Sequence, residues 1–238
     1  MANYHVNDDQ NLNIARGLVK GVTGLSISGY NGAVSTSWVP LWEINTAYTY
    51  FTGAQVVRVW SDNAVDTNVT VRIDGLDSNY DISTETVVLN NGTTGVLTTK
   101  QFLRINSLTV LGSVNAIGTI RAGSSDKAIT LAAVIDGNGV SQMTVYTVPR
   151  GYTFYLSQVN ILTNQNGNQV SAYRSFTQTP TGLTRKVLQF PMTTGYVSEK
   201  IVPRPYAEKT DIQWQCQSSV TAQIGGQIEG YLIQNPIV

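Results

Sequence analysis

Reactive side chains are scarce in this chain, and their spacing decides little chemistry. The single histidine, His5, stands in a polar N-terminal segment, MANYHVNDD, with nothing around it to hold an imidazole against a nucleophile. A Ser/His/Asp triad therefore has no base, because that chemistry needs a rigidly oriented histidine. Cys216 is the only cysteine, so no intrachain disulfide forms, and one His with one Cys more than two hundred positions away makes no zinc site. Neither a phosphate-binding Gly-x-x-x-x-Gly-Lys-Ser/Thr loop nor a dinucleotide Gly-x-Gly-x-x-Gly motif after a strand is present.

Two constellations remain to be weighed. Asp77, Ser78, Asn79, Tyr80 and Asp81 alternate oxygen side chains like the first half of a calcium loop, but Ile82 stands where that loop needs Gly and Val88 where it needs a bidentate Glu. A tight polar turn between two strands is the expectation. Glu43, Glu85, Glu199, Glu208 and Glu229 could supply a glycosidase pair only if the fold brought two together around a sugar, and none carries a recognisable context. The expectation is a non-enzymatic protein with no catalytic, cofactor-binding or metal-binding residues and no cofactor.

A crowd of rings at Trp38, Trp42, Tyr48, Tyr50 and Phe51 could form a glycan platform or a protein interface if exposed. Packing inside the first sandwich is the stronger reading, since large rings supply most buried area.

The elements that would position these residues are strands. Val69, Val71 and Ile73 point one way and Thr70, Arg72 and Asp74 the other, the period-two pattern of a half-buried strand. Residues 211–217 repeat it, with Ile212, Trp214 and Cys216 inward and Asp211, Gln213, Gln215 and Gln217 in water. Residues 221–232 do so with Ala222, Ile224, Ile228 and Leu232. Between Phe102 and Leu111 the phase switches, which predicts a bulge at Asn106 and Ser107. Turn residues at 77–79, 90–92, 136–139 and 166–168 punctuate the runs. Leu12, Ile14, Leu18 and Val19 fit either a short amphipathic helix capped by Asp9 or an extended arm.

Short strands with turns between them and almost no helical period predict an all-β protein: two tandem antiparallel β-sandwiches, jelly-roll-like or immunoglobulin-like. A composition dip from Ala122 to Asp126 suggests a division into an N-terminal arm (1–20), a first sandwich (21–124) and a second (125–238).

Composition narrows the partners. Only 13% of the 238 residues are charged, 15 basic against 15 acidic, where an ordinary domain has about a quarter. Such a balance leaves no electrostatic footprint for nucleic acid or an anionic membrane. The missing charge is replaced by Thr, Ser, Asn, Gln and Gly. No signal-peptide core and no apolar run of membrane-spanning length occurs, so synthesis in a cytosol without standard export is expected. On that reading the Asn-x-Thr triplets at Asn68 and Asn91 are accidents of composition.

Several phrases carry a resemblance: IARGLVKGVT at 14–23, VRIDGLDSNY at 71–80, STETVVLN at 83–90, FLRIN at 102–106 and AIGTI at 116–120, then VPRGYTFYL at 148–156 and EKTDI at 208–212. In these the chain resembles β-rich virion structural proteins of tailed phages, particularly those of marine cyanobacteria. The resemblance spans most of the chain and is weakest over 160–200. It implies a virion component, a capsid cement or decoration protein bound to the major capsid protein, or a tail, neck or fibre part able to touch host glycans. Partners would be other virion proteins and further copies in a symmetric assembly, with residues 1–20 as the reaching arm pinned by a neighbour. The family supplies no catalytic residue to carry over.

Overall fold

The computed structural model describes residues 10–112, 115–135, 137–164 and 171–236. His5, the Asp9 cap, Asp136 and the turn at 166–168 lie outside them. Helix α1 (Gln10–Ala15) buries Ile14 and leads to β1 (Val22–Val34) and β2 (Val39–Pro40). A continuous run follows: β3 (Gln55–Ser61), β4 (Thr70–Leu76), β5 (Ile82–Val88), β6 (Val96–Phe102), β7 (Arg104–Leu111), β8 (Ile120–Gly123) and β9 (Thr130–Val134). The chain ends with β10 (Val145–Thr147), β11 (Tyr152–Thr163), β12 (Ser171–Gln178), β13 (Thr184–Met192), β14 (Gly195–Tyr206), β15 (Asp211–Ser218) and β16 (Ala222–Gln234). The protein is all-β, as the alternation requires.

Among the described residues, four antiparallel sheets enclose two cores. Sheets β6-β3-β8-β9 and β5-β4-β7 surround one, rich in branched aliphatics such as Val57, Val71, Ile73 and Leu108. Sheets β1-β16-β11-β14 and β10-β15-β12-β13, with β2 on β15, surround the other, where Trp214, Tyr173, Phe154, Tyr146 and Tyr206 pack together. Sequence order and spatial order part company here. β1 pairs with β16 from Val22 opposite Ile233 to Val34 opposite Ala222, so the first long strand belongs to the C-terminal sandwich. The expected division at 124/125 falls in the connection between β8 and β9, which pair within one sheet.

The aliphatic core is thus carried by an insertion, and its two ends meet at a neck. The Leu41 amide donates to Thr144 Oγ1 at 3.0 Å, the Thr144 amide returns a bond to Leu41 O at 2.8 Å, and Thr144 Oγ1 donates to Trp214 O at 2.7 Å. A bridge between Trp42 and Met143 sits just beyond. Gly29 allows this closeness, since a Cβ there would lie 2.5 Å from Leu41 O.

The alternation of β4 is as expected, with Val69, Val71 and Ile73 fully buried. The bulge expected at 106–107 is present: Asp74 faces Ser107 and Gly75 faces Ile105, leaving Asn106 as the extra residue. For β15 the expectation of a wet outer face fails. Asp211, Gln213 and Gln215 are buried. The strand lies inside its sheet, and polar groups from both sandwiches cover its second face.

Candidate interaction surface

At the junction of the sandwiches, Arg104 at the start of β7 meets Asp211 at the start of β15. Arg104 Nε donates to Asp211 Oδ1 at 2.8 Å and Nη2 donates to Oδ2 at 2.9 Å, a bidentate fork with both side chains over nine-tenths buried. Nη1 donates to the carbonyls of Phe51 and Leu103, and the guanidinium lies 4.6 Å from the Tyr50 ring centroid. Thr147 Oγ1 adds a bond to Asp211 Oδ1 at 2.6 Å. Burial works against the Arg104 charge, and the Asp211 hydrogen bonds and charge outweigh it, so the group is held more firmly protonated than a free arginine. The bulged Asn106 spans the same seam, donating to Thr147 O and accepting from the Thr147 amide, each at 2.9 Å. The bulge therefore re-aims a polar side chain across the junction.

The singled-out residues fall into structural roles. Asp77 Oδ1 accepts from the amides of Asn79 and Asp81, and both Asp81 oxygens accept from Arg150, at 2.8 and 2.7 Å. The segment is the polar turn between β4 and β5. Glu85 satisfies the free edge of β6 by accepting from the Thr99 and Lys100 amides, and Glu208 accepts from the Gly151 amide. Glu199 and Glu229 both sit opposite Gln158 of β11, from the strands on either side of it, about 10 Å apart by strand spacing. That is wider than a retaining pair requires. Glu43 accepts from Asn138 Nδ2 at 2.9 Å and from the Ile135 amide at 3.2 Å. Burial pushes its carboxyl up to about 7, with those hydrogen bonds opposing the rise.

Trp42 and Phe51 are buried in the aliphatic core, with Tyr48 edge-on to Trp42 at 5.2 Å. Trp38 departs from the expected grouping. It lies under Arg174 of β12, with the guanidinium 4.3 Å from its ring centroid, and belongs to the other sandwich. Cys216 is fully buried and burial pushes its thiol up, so no thiolate is available for chemistry. Among the described residues no cluster of three His, Cys, Asp or Glu side chains could hold a metal ion.

What the chain does present is surface. Across the outer face of the β1-β16-β11-β14 sheet, register aligns Ser26 with Glu229 and Ser28 with Gln227. It continues them through Gln158 and Asn160 to Glu199 and Val197. This face is polar and sparsely charged. On β14, Leu156 faces Arg204 and Gln158 faces Glu199, so the four residues Lys200, Ile201, Val202 and Pro203 stand against Ser157 alone and are thrown outward. Ile201 is 100% exposed and Val202 80%. Beside the neck, an apolar cleft of about 520 Å³ opens between the sandwiches, with Leu25 on one wall and Leu76, Ile82, Val140 and Met143 on the other.

No family model matches the chain, and no curated protein does. Among solved structures, a chain of infectious bursal disease virus, Gx strain, is similar over 90% of this chain and 71% of its own, at 10% identity and a TM-score of 0.20. A chain of the Gt strain is similar over 91% and 82%, at 10% identity and a TM-score of 0.14. At such scores neither likeness carries a functional argument.

The polar sheet face, the outward bulge and the cleft are the features that the described surface presents. Sequence reading anticipated the polar face from its Ser, Gln and Asn content but missed the bulge and the Arg104–Asp211 fork. A Lys-Ile-Val-Pro run in a strand was the available signal for the bulge, because proline interrupts ladder pairing.

Proposed function

We propose that the protein is a non-enzymatic structural component of a tailed-phage virion, a cement or decoration protein that binds the major capsid protein on the outside of the shell. The observation that carries this reading is the polar, weakly ionic outer face of the β1-β16-β11-β14 sheet. Ser, Gln and Asn faces can hydrogen-bond across a wet interface without the desolvation cost of burying charges. The resemblance of the sequence phrases to phage virion proteins supports the same reading. By mass action, each molecule bound to the expanded shell and not to its dissociated subunits stabilises the shell. Of the expected arm, residues 10–15 form α1, which packs against β1 of the same chain with Ile14 buried.

The test is cosedimentation with purified expanded shells. Binding should saturate at a copy number matching the shell lattice and should raise the temperature at which shells release DNA. Absence of binding, together with low copy number on virions, overturns the cement role in favour of a tail, neck or fibre part.

A further inference from the structure

Four Asn-Gly pairs occur in the sequence, beginning at 31, 91, 138 and 166, and the last lies outside the described residues. Such a pair can close on itself: the glycine amide nitrogen attacks the asparagine Cγ, and no Cβ on the glycine hinders the approach. The structure separates the three described pairs. Asn31 is fully buried in β1, where its Nδ2 donates to Asn45 Oδ1 and its Oδ1 accepts from the Ala33 amide, each at 2.9 Å. Both ends of that side chain are held away from water. At the second pair, Asn91 Oδ1 accepts from the Thr94 amide, and the Gly92 amide donates to Ala64 O at 3.4 Å. Gly92 is packed so closely that a Cβ would lie 1.9 Å from Asn63 O. The third pair, Asn138 and Gly139, differs on each count. Gly139 is exposed, a Cβ there would meet nothing, and among the described residues its amide nitrogen has no hydrogen-bond partner. Its carbonyl accepts from the Val110 amide at 2.8 Å, which holds the peptide in place without using the nitrogen. Asn138 Nδ2, the atom that would have to leave, donates to Glu43 Oε1 at 2.9 Å. Burial raises the Glu43 carboxyl to about 7, so near neutral pH it carries a proton in much of the population.

We propose that Asn138 and Gly139 form a self-modifying site at the neck, with Glu43 as its proton donor. The Gly139 nitrogen bonds to Asn138 Cγ and gives its proton to water. The Cγ–Nδ2 bond breaks, and Nδ2 leaves as ammonia with a proton taken from Glu43, which water then restores. The product is a cyclic imide. A water molecule opens the ring at either carbonyl and leaves aspartate or isoaspartate at position 138. No electrons change hands, and ammonia is the sole by-product. The new carboxylate stands beside Glu43 where an N–H donor stood, and two carboxylates sharing one site repel. The neck therefore loosens as the protein ages. This chemistry belongs to the chain by itself and does not rest on the virion reading.

Peptide mapping by mass spectrometry tests this on the full-length protein, kept folded in warm neutral buffer and sampled over weeks. The three described pairs are read in one sample, so Asn31 and Asn91 serve as internal controls. Asn138 should convert at least about tenfold faster than either, a small part of what favourable positioning of reacting atoms can supply. Gly139→Ala has open space for its methyl group and should slow the conversion by hindering the nitrogen. Glu43→Gln keeps an acceptor for Asn138 but has no proton to give, and should slow it about tenfold, a fraction of what an optimised general acid contributes. Thermal midpoints no lower than that of the unaltered protein show that both variants fold. Equal rates at Asn138 and Asn91 overturn the inference, as does an Asn138 rate that neither substitution changes. Asn138→Asp, made directly, should unfold at a lower temperature than the unaltered protein, and an unchanged midpoint overturns the loosening of the neck.

Discussion

The two sandwiches solve the same problem with different materials. The insertion is continuous in sequence and fills its core with Val, Ile and Leu on short strands, so its pairings are local and its alternation clean. The outer sandwich is discontinuous: its sheets are completed by the first and last long strands, and its core is dominated by Trp214, Tyr173, Phe154, Tyr146 and Tyr206. The insertion carries the excess of acid and the outer sandwich the excess of base. Continuity makes a body legible from its own sequence, whereas a body assembled from distant segments hides which strands lie side by side.

The largest blow to this pairing of bodies comes at the seam. Asp211→Ala leaves the Arg104 guanidinium buried without its carboxylate and should cost about 3–5 kcal/mol, measured by denaturant unfolding. Replacing both partners with apolar residues, Arg104→Met with Asp211→Leu, should recover most of that loss. A double variant no more stable than the single one would show that the fork, and not the unpaired charge, holds the bodies together.

A smaller effect separates the bodies by pH. Glu43, at the insertion side of the neck, has its folded carboxyl raised to about 7, above its unfolded value of 4.5. Below both values the group is protonated in either state, so it contributes nothing to the pH dependence. As pH rises from about 4.5 to 7 the unfolded chain releases the proton first, so stability falls through that window and levels off above it. Glu43→Gln should remove this slope and stabilise the protein at pH 8 by about 1 kcal/mol, since solvent screens part of the shift. Stability profiles of the two proteins that stay parallel between pH 4.5 and 7 would contradict the assignment.

The smallest effect is at the rim of the seam. The Arg150–Asp81 pair links the outer sandwich to the β4–β5 turn, but it is half exposed. Arg150→Ala should cost only about 0.2–1 kcal/mol in the same unfolding assay, and less at high salt. A loss comparable to that at Asp211 would mean that the seam is not centred where its burial places it.

Much of the insertion was readable from the chain. Val69, Val71 and Ile73 fix one face of β4 by period two, and the phase slip at Asn106 marks the bulge that the structure shows. In β16 the same rule placed Ala222, Ile224 and Ile228 inward. The rule failed at β15, where Asp211, Gln213 and Gln215 alternate like solvent-facing residues yet are buried. Their water is replaced by Arg104, Thr147 and Arg174, which lie far off in sequence. The same remoteness hid the pairing of β1 with β16, since alternation says which face of a strand is buried and not which strand lies beside it. For the candidate site, composition indicated a polar face. The bulge on β14 depends on a register shift that only the neighbouring strand reveals.

The neck at Leu41 and Thr144 also bears on how the chain reaches this structure. β1 cannot find its partner until β16, almost two hundred residues later, has been made. While the insertion is unfolded, the closure must span all of the intervening chain. Once the insertion has folded, its ends are hydrogen-bonded to each other, and the hundred or so residues between Leu41 and Thr144 count as one short link. If the inner sandwich folds first, the neck makes the closure of β1 on β16 correspondingly shorter.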